Sequence, residues 1–261
     1  MNLQAQDGDK QSSLSFGWGT GYFKEQDLAI SPMIHDAISP VNVVVEYRHS
    51  GKLEHQLYTR FGLYKADFAE PFSYYYDNPD ELEFSWPHSN INIDINYSLG
   101  AVVMDKSGLK LTLGGRSRNR LHPSDNVMAP SVLFGYYISF GLDAWAQLNY
   151  SLGDKHEFSA NLALPVFSMN GRSAYNWMDD WYFEDTFSHK PLKILAAYIG
   201  GTKMQSWGKS QSFDFDASYY YSLSEKWSIG ASYWFSLNTN QDPRNLTSIE
   251  NLVCFNLKLK F

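Results

Sequence analysis

Seven histidines, His35, His49, His55, His88, His122, His156 and His189, are the residues best suited to acid–base, nucleophilic or metal chemistry. No G-x-S-x-G element places a serine nucleophile on a sharp turn. No two histidines stand four apart, as two zinc ligands on one helix face would. Ser188 and His189 with Asp185 come nearest to a catalytic group, and chance proximity of His and Ser is expected where Ser is plentiful. The lone Cys254 rules out an intrachain disulfide and reads as a small filler rather than a nucleophile. We therefore expect no catalytic residues, no metal and no cofactor.

A second constellation concerns charge. Glu46, Glu54, Asp94, Asp214 and Asp216 fall on the same parity as Arg48, Arg60, Lys110, Arg116 and Arg118 within segments that alternate apolar and polar residues. Ions of both signs on one face, mixed with Asn, Ser and Thr, suit a narrow interior where charges must pair. A water-facing sheet would carry mostly long Lys and Glu side chains. The net charge of −7 and the absence of a basic patch exclude a nucleic-acid partner.

The elements that carry these charges alternate with period two. Leu14, Phe16, Trp18 and Tyr22 share a face. Val41, Val43, Val45 and Tyr47 run to a turn at Ser50-Gly51-Lys52, and Leu57, Thr59, Phe61 and Leu63 return from it. Ile91, Ile93 and Ile95 oppose Asn92, Asp94 and Asn96. Leu109, Leu111 and Leu113 oppose Lys110, Thr112 and Arg116. Phe213, Phe215 and Ala217 oppose Asp214 and Asp216. Aromatics make up 16% of the chain, yet its mean hydropathy is −0.37. A soluble sandwich with that many aromatics would carry large exposed patches. A membrane barrel reconciles the two values, because aromatic girdles meet lipid while the lumen is polar.

The fold expected is all-β: a transmembrane antiparallel up-and-down β-barrel of about twelve strands, with ten as the fallback. Eleven segments are legible, and 130–151 is too long for one strand, so a split near Gly141-Leu142-Asp143 yields twelve. Short turns fall at 49–52, 104–108, 152–156 and 223–227, and long connections at 24–39, 66–88, 119–130, 169–190 and 238–247; the split would make 152–155 an external turn. Residues 1–11 read as a signal remnant or polar lead, and 12–261 as one barrel domain, which places the chain in a bacterial outer membrane.

The last strand ends in Phe255, Leu257, Leu259 and Phe261, alternating with Cys254, Asn256, Lys258 and Lys260. It resembles the C-terminal strand of Gram-negative outer-membrane β-barrels. That resemblance implies recognition of Phe261 and its alternating neighbours by the barrel assembly machinery. A looser resemblance is to uncharacterised Bacteroidota barrels, through Gly17, Gly19 and Tyr22, Ile30-Ser31-Pro32, Pro165-Val166, Arg172 and Tyr175; it transfers no activity. Known barrel enzymes set targets: phospholipase-like barrels pair His with Ser at the rim, and omptin-like proteases pair Asp with His at the mouth.

Two acidic-aromatic segments stand out. Residues 66–88 hold Tyr74, Tyr75, Tyr76 and Trp86 among six carboxylates, without Lys or Arg. Residues 175–187 hold Trp177, Trp181, Tyr182 and Phe183 among four. They read as an acidic rim facing divalent cations and lipopolysaccharide, as a docking surface for another outer-membrane or surface protein, or as a calcium site without the regular spacing of a calcium loop. The function expected is a narrow passive, porin-like channel; the alternatives are a non-channel scaffold or accessory subunit of a larger complex and, third, a lipid-modifying enzyme.

Overall fold

The computed structural model describes residues 11–65, 72–74, 83–85, 88–128, 131–173 and 190–261. Ten long strands close one antiparallel barrel: β1 (Gln11–Asp27), β2 (His35–Ser50), β3 (Glu54–Lys65), β6 (Ser89–Lys106), β7 (Leu109–Met128), β8 (Ser131–Leu152), β9 (His156–Arg172), β11 (Ser210–Ser222), β12 (Trp227–Asn240) and β13 (Leu246–Lys260). Short β4 (Phe72–Tyr74) and β5 (Glu83–Ser85) pair with each other, and β10 (Lys203–Gln205) pairs with the upper end of β9. Helix α1 spans Pro191–Gly200. Pro191 sits at its first turn, where no backbone donor is needed, and Gly201 closes it.

The ring closes where β13 pairs with β1, from Ser13↔Lys260 to Asp27↔Leu246. At the C-terminus Phe261 and Ser12 exchange backbone hydrogen bonds at 2.9 Å. The short turns gather at one rim with Gln11 and Phe261, the arrangement of a periplasmic end. The β6–β7 turn is Ser107-Gly108, both at positive φ (53° and 80°), as a two-residue hairpin loop requires.

Ten barrel strands is the fallback count. The expected split of 130–151 does not occur: β8 is one strand of 22 residues, and Gly141-Leu142-Asp143 hosts a register shift against β9 rather than a turn. Consequently 152–156 stays at the short-turn rim. Nor is 190–205, one of the eleven expected segments, a barrel strand: α1 occupies Pro191–Gly200 and leaves only the three-residue β10. Several expected long connections are themselves paired strand. The β7–β8 ladder runs unbroken from Leu109↔Tyr150 to Met128↔Ser131. At about 3.3 Å per residue and a tilt near 40°, those twenty pairs rise about 50 Å, roughly twice the 25 Å apolar band of an outer-membrane barrel. The β7–β8 side of the barrel therefore projects well beyond the lipid, while β3, β11, β12 and β13, with 12 to 15 residues, rise about 30–38 Å on the same scale. Period-two alternation continues at the upper ends of β1, β2 and β7, but Lys24, Gln26, Asp36 and Asp125 occupy outward positions, which mimics a polar loop in sequence.

The molecule is inverted relative to a soluble domain. Phe16, Trp18, Phe255 and Leu257 are exposed at 44–64%, whereas Arg60, Asp94, Asn92 and Thr112 are fully buried. Outward residues meet hydrocarbon, so exposure is their stable state. Phe215 faces outward and its neighbour Asp214 inward. Replacing Phe215 with Arg should cost about 2–4 kcal/mol of folding free energy, read by urea unfolding of the refolded barrel in lipid. No loss of stability would mean that the register is off by one residue.

Candidate functional site

The lumen holds a continuous chain of alternating ions. Glu250 on β13 pairs with Arg60 on β3 (2.6 Å), and Arg60 with Asp94 on β6. Asp94 meets Arg120 of β7 (3.3 Å), which reaches Asp214 of β11 (2.6 Å). Asp214 holds Arg116, which pairs with Asp143 of β8 (2.8 Å), and Asp143 faces Arg118 (3.4 Å). Four arginines thus meet four carboxylates, with no net charge among the eight.

Strand register builds the chain. Arg60↔Asp94, Asp94↔Arg120 and Arg116↔Asp143 are direct cross-strand neighbours on the inward face. Asp214 and Glu250 then reach across the lumen and join the ladder to the opposite wall. Neutral donors complete the carboxylates. The Tyr64 hydroxyl and the Asn92 amide donate to Glu250, and the Ser236 hydroxyl donates to Asp214 at 2.6 Å. His122, expected in or beside a loop, lies on β7, with Nε2 3.3 Å from Asp94.

An aromatic layer lies on the periplasmic side of this chain. Tyr58, Trp145 and Trp234 fill the bore, and the Arg60 guanidinium stacks 4.1 Å above the Trp234 ring. Cys254 packs with Val44, Trp234 and Leu252 as a buried free thiol. Two cavities in this layer measure only about 10 and 20 Å³, at or barely above the size that admits one water molecule. Nearer the periplasm, Glu46 pairs with Arg48, Glu54 with Lys110, and Glu157 with both Lys258 and Lys260. These line or adjoin a vestibule of about 320 Å³.

Of the ten charged residues singled out from sequence, nine form ion pairs. Asp216 instead accepts a hydrogen bond from Asn161 at 2.6 Å. Sequence reasoning missed Arg120, Asp143, Glu157, Glu250 and Lys258 as partners. Arg120 was signalled by the rank Arg116, Arg118, Arg120, and Glu250 by its parity with Leu252 and Cys254. Asp143 was hidden by the turn placed on it.

At the external end His35 and His88 stack edge to face, with ring centroids 4.2 Å apart. Burial and the neighbouring His35 push His88 down to about 4. Among the described residues no group of three or more His, Cys, Asp or Glu could hold a metal. Tyr75, Tyr76, Trp86, Trp177, Trp181, Tyr182 and Phe183 lie outside the described residues, as do Asp185, Ser188 and His189; Tyr74 ends β4.

No family model and no curated protein matches this chain. Solved structures do. The outer membrane protease OmpT from Escherichia coli aligns over 100% of this chain and 99% of its own, with a TM-score of 0.54 at 8% identity. The translocator domain of autotransporter NalP from Neisseria meningitidis aligns over 96% and 88%, with a TM-score of 0.44 at 8% identity. Neisserial surface protein A aligns over 97% of each chain, with a TM-score of 0.37 at 8% identity. The fold is that of a bacterial outer-membrane β-barrel. At 8% identity, the match carries the fold and not the protease activity.

Removing one member of the ion chain leaves its partners charged and buried, which costs about 3–5 kcal/mol. Sequence alone would rank Asp214→Asn as mild. With Arg116 and Arg120 both on Asp214, it should instead be among the most destabilising isosteric changes, read by denaturant unfolding. A change no larger than that of Asn161→Ala would refute the chain's structural weight.

Proposed function

We propose that the protein is a closed outer-membrane scaffold that holds its tall external strands and loops for a surface or outer-membrane partner. The observation that carries this reading is the blocked bore. The eight-charge chain and the Tyr58–Trp145–Trp234 layer cross the lumen one above the other, and the cavities beside them hold single waters at most. Selective pores keep a wet path past their charged rings. Here the charges face each other instead.

A narrow passive channel is the second reading, favoured by the polar vestibule of about 320 Å³ that opens toward the periplasm. It requires the aromatic and ionic layers to move apart. We read the protein as a non-enzyme: His35 and His88 face each other, and His122 serves the ion chain. In this reading it resides in a Bacteroidota outer membrane, contacts lipopolysaccharide and docks a partner through Tyr74–Tyr76, Trp86, Trp177 and 181–183. Phe261 with Phe255, Leu257 and Leu259 forms the signal for the barrel assembly machinery.

Folded protein in planar bilayers should be electrically silent. Trp234→Ala combined with Tyr58→Ala should stay silent as well, because the ion chain above still closes the bore. Discrete, salt-dependent steps from the unaltered protein would overturn the scaffold reading in favour of the channel. Deleting Phe261 should lower the amount of heat-modifiable barrel in the outer membrane; unchanged insertion would remove its role as a signal.

A further inference from the structure

Residues 190–209 differ in charge from the rest of the chain. They contain Lys190, Lys193, Lys203 and Lys209 and no Asp or Glu, in a protein of net charge −7. The same stretch exposes large apolar side chains: Leu192 at 81%, Met204 at 70%, Trp207 at 61%, with Ile199 and Leu195 at about 40%. Apolar bulk and lysines together, with no carboxylate, are the composition of an element that lies in a lipid–water interface.

The register places this stretch at the right height. Met204 pairs with Met169, which pairs with Phe140. Phe140 stands twelve residues above Leu152 at the periplasmic turn, or about 30 Å at 3.3 Å per residue and a 40° tilt. An apolar band about 25 Å tall ends just below. The turn carrying Trp207 descends from β10 toward that boundary. Helix α1 lies above it on the outside of the wall: the Tyr198 ring sits 4.1 Å from Tyr136 and 6.4 Å from Phe134. Outward-facing Ile138 is only 2% exposed, and a Cβ on its neighbour Gly171 would meet Thr202 and the Tyr198 carbonyl. The element is thus fixed against the barrel with its remaining apolar side chains directed away from it.

The surface is continuous with the lipid-facing wall beneath, where Leu142, Leu164, Val166 and Phe167 are exposed. Water is the wrong solvent for Leu192, Met204 and Trp207 together. Lys203 shares the inward parity of Gln205 and pairs with Asp242 at 3.1 Å, whereas Lys190, Lys193 and Lys209 have no ion-pair partner among the described residues.

We propose that α1 and the Lys203–Lys209 strap form an interfacial anchor that binds phosphate-bearing anionic lipid of the outer leaflet. Lys190, Lys193 and Lys209 meet the headgroup phosphates, and Met204 and Trp207 enter the top of the acyl region. This inference rests on the membrane placement of the barrel and is independent of whether the lumen conducts.

The test uses the full chain in nanodiscs containing lipid A. Nitroxide labels at Met204→Cys or Trp207→Cys, in a Cys254→Ala background, should be relaxed by oxygen and shielded from aqueous nickel. The variant K190Q/K193Q/K209Q should retain lipid A about tenfold less well or worse on detergent extraction, with unchanged heat-modifiability. Labels open to nickel would overturn the proposal, as would equal retention by the variant. Labels shielded from both probes in a particle of doubled protein mass would overturn it in favour of a second copy as occupant. Should the glutamine variant not fold, label accessibility in the lysine-bearing protein decides alone.

Discussion

Every barrel strand turns one face inward, and what those faces carry is charge that cannot reach bulk water. The chain from Glu250 through Arg60, Asp94, Arg120, Asp214, Arg116 and Asp143 to Arg118 resolves that problem by alternation. Each interior member touches two opposite charges, so desolvation is offset on both sides. The chain is also what makes the barrel one object. Its members come from β3, β6, β7, β8, β11 and β13, and only the closed ring brings β11 and β13 within reach of β7 and β3. Membrane burial cannot supply that specificity, because lipid tails are indifferent to which outward Leu or Ile they meet.

The aromatic layer depends on the same chain. Arg60 is held by Asp94 and Glu250, and its guanidinium lies over the Trp234 ring. A cation placed over an indole in a site shielded from water strengthens the contact. Charge and packing therefore block the bore at adjacent heights. That coupling favours a scaffold over a pore, since a solute would have to part both layers together. The wide vestibule below needs no such occlusion, and there the ion pairs sit further apart around open space.

Height is the second organising constraint. The β7–β8 ladder, about twice as tall as the apolar band, carries that side of the wall well beyond the lipid, and at the upper ends of β1, β2 and β7 outward Lys, Asp and Gln replace Leu and Ile. High on β8 the described wall is apolar through Phe134, Tyr136 and Ile138, and there α1 covers it. The helix, its lysines and the strap below it form one feature: an apolar wall segment above the hydrocarbon that is sheathed by a basic, apolar element.

Sequence by itself determined the class of fold and the inside–outside sense of each strand. Period-two alternation is a local property, and with side chains pointing to opposite faces it needs no knowledge of partners. The lipid-facing Phe215 and Phe255, the inward Arg60 and Asp94, and three of the four short turns at one rim were legible on those grounds, whereas the split of β8 put the turn at 152–155 on the wrong rim. Strand number was less so, because β8 contains a glycine and an aspartate where a turn would sit, and only its pairing with both neighbours shows the strand to be continuous. The extensions of β7 and β8 past the membrane resembled loops, since water-facing strand and loop share a polar composition. Tertiary structure alone decided which ions pair. Arg120 with Asp214, and Arg60 with Glu250, lie 94 and 190 residues apart. Their meeting depends on ring closure and stagger, which no local pattern encodes, and so it was the closed barrel that turned a face of mixed charges into a plug.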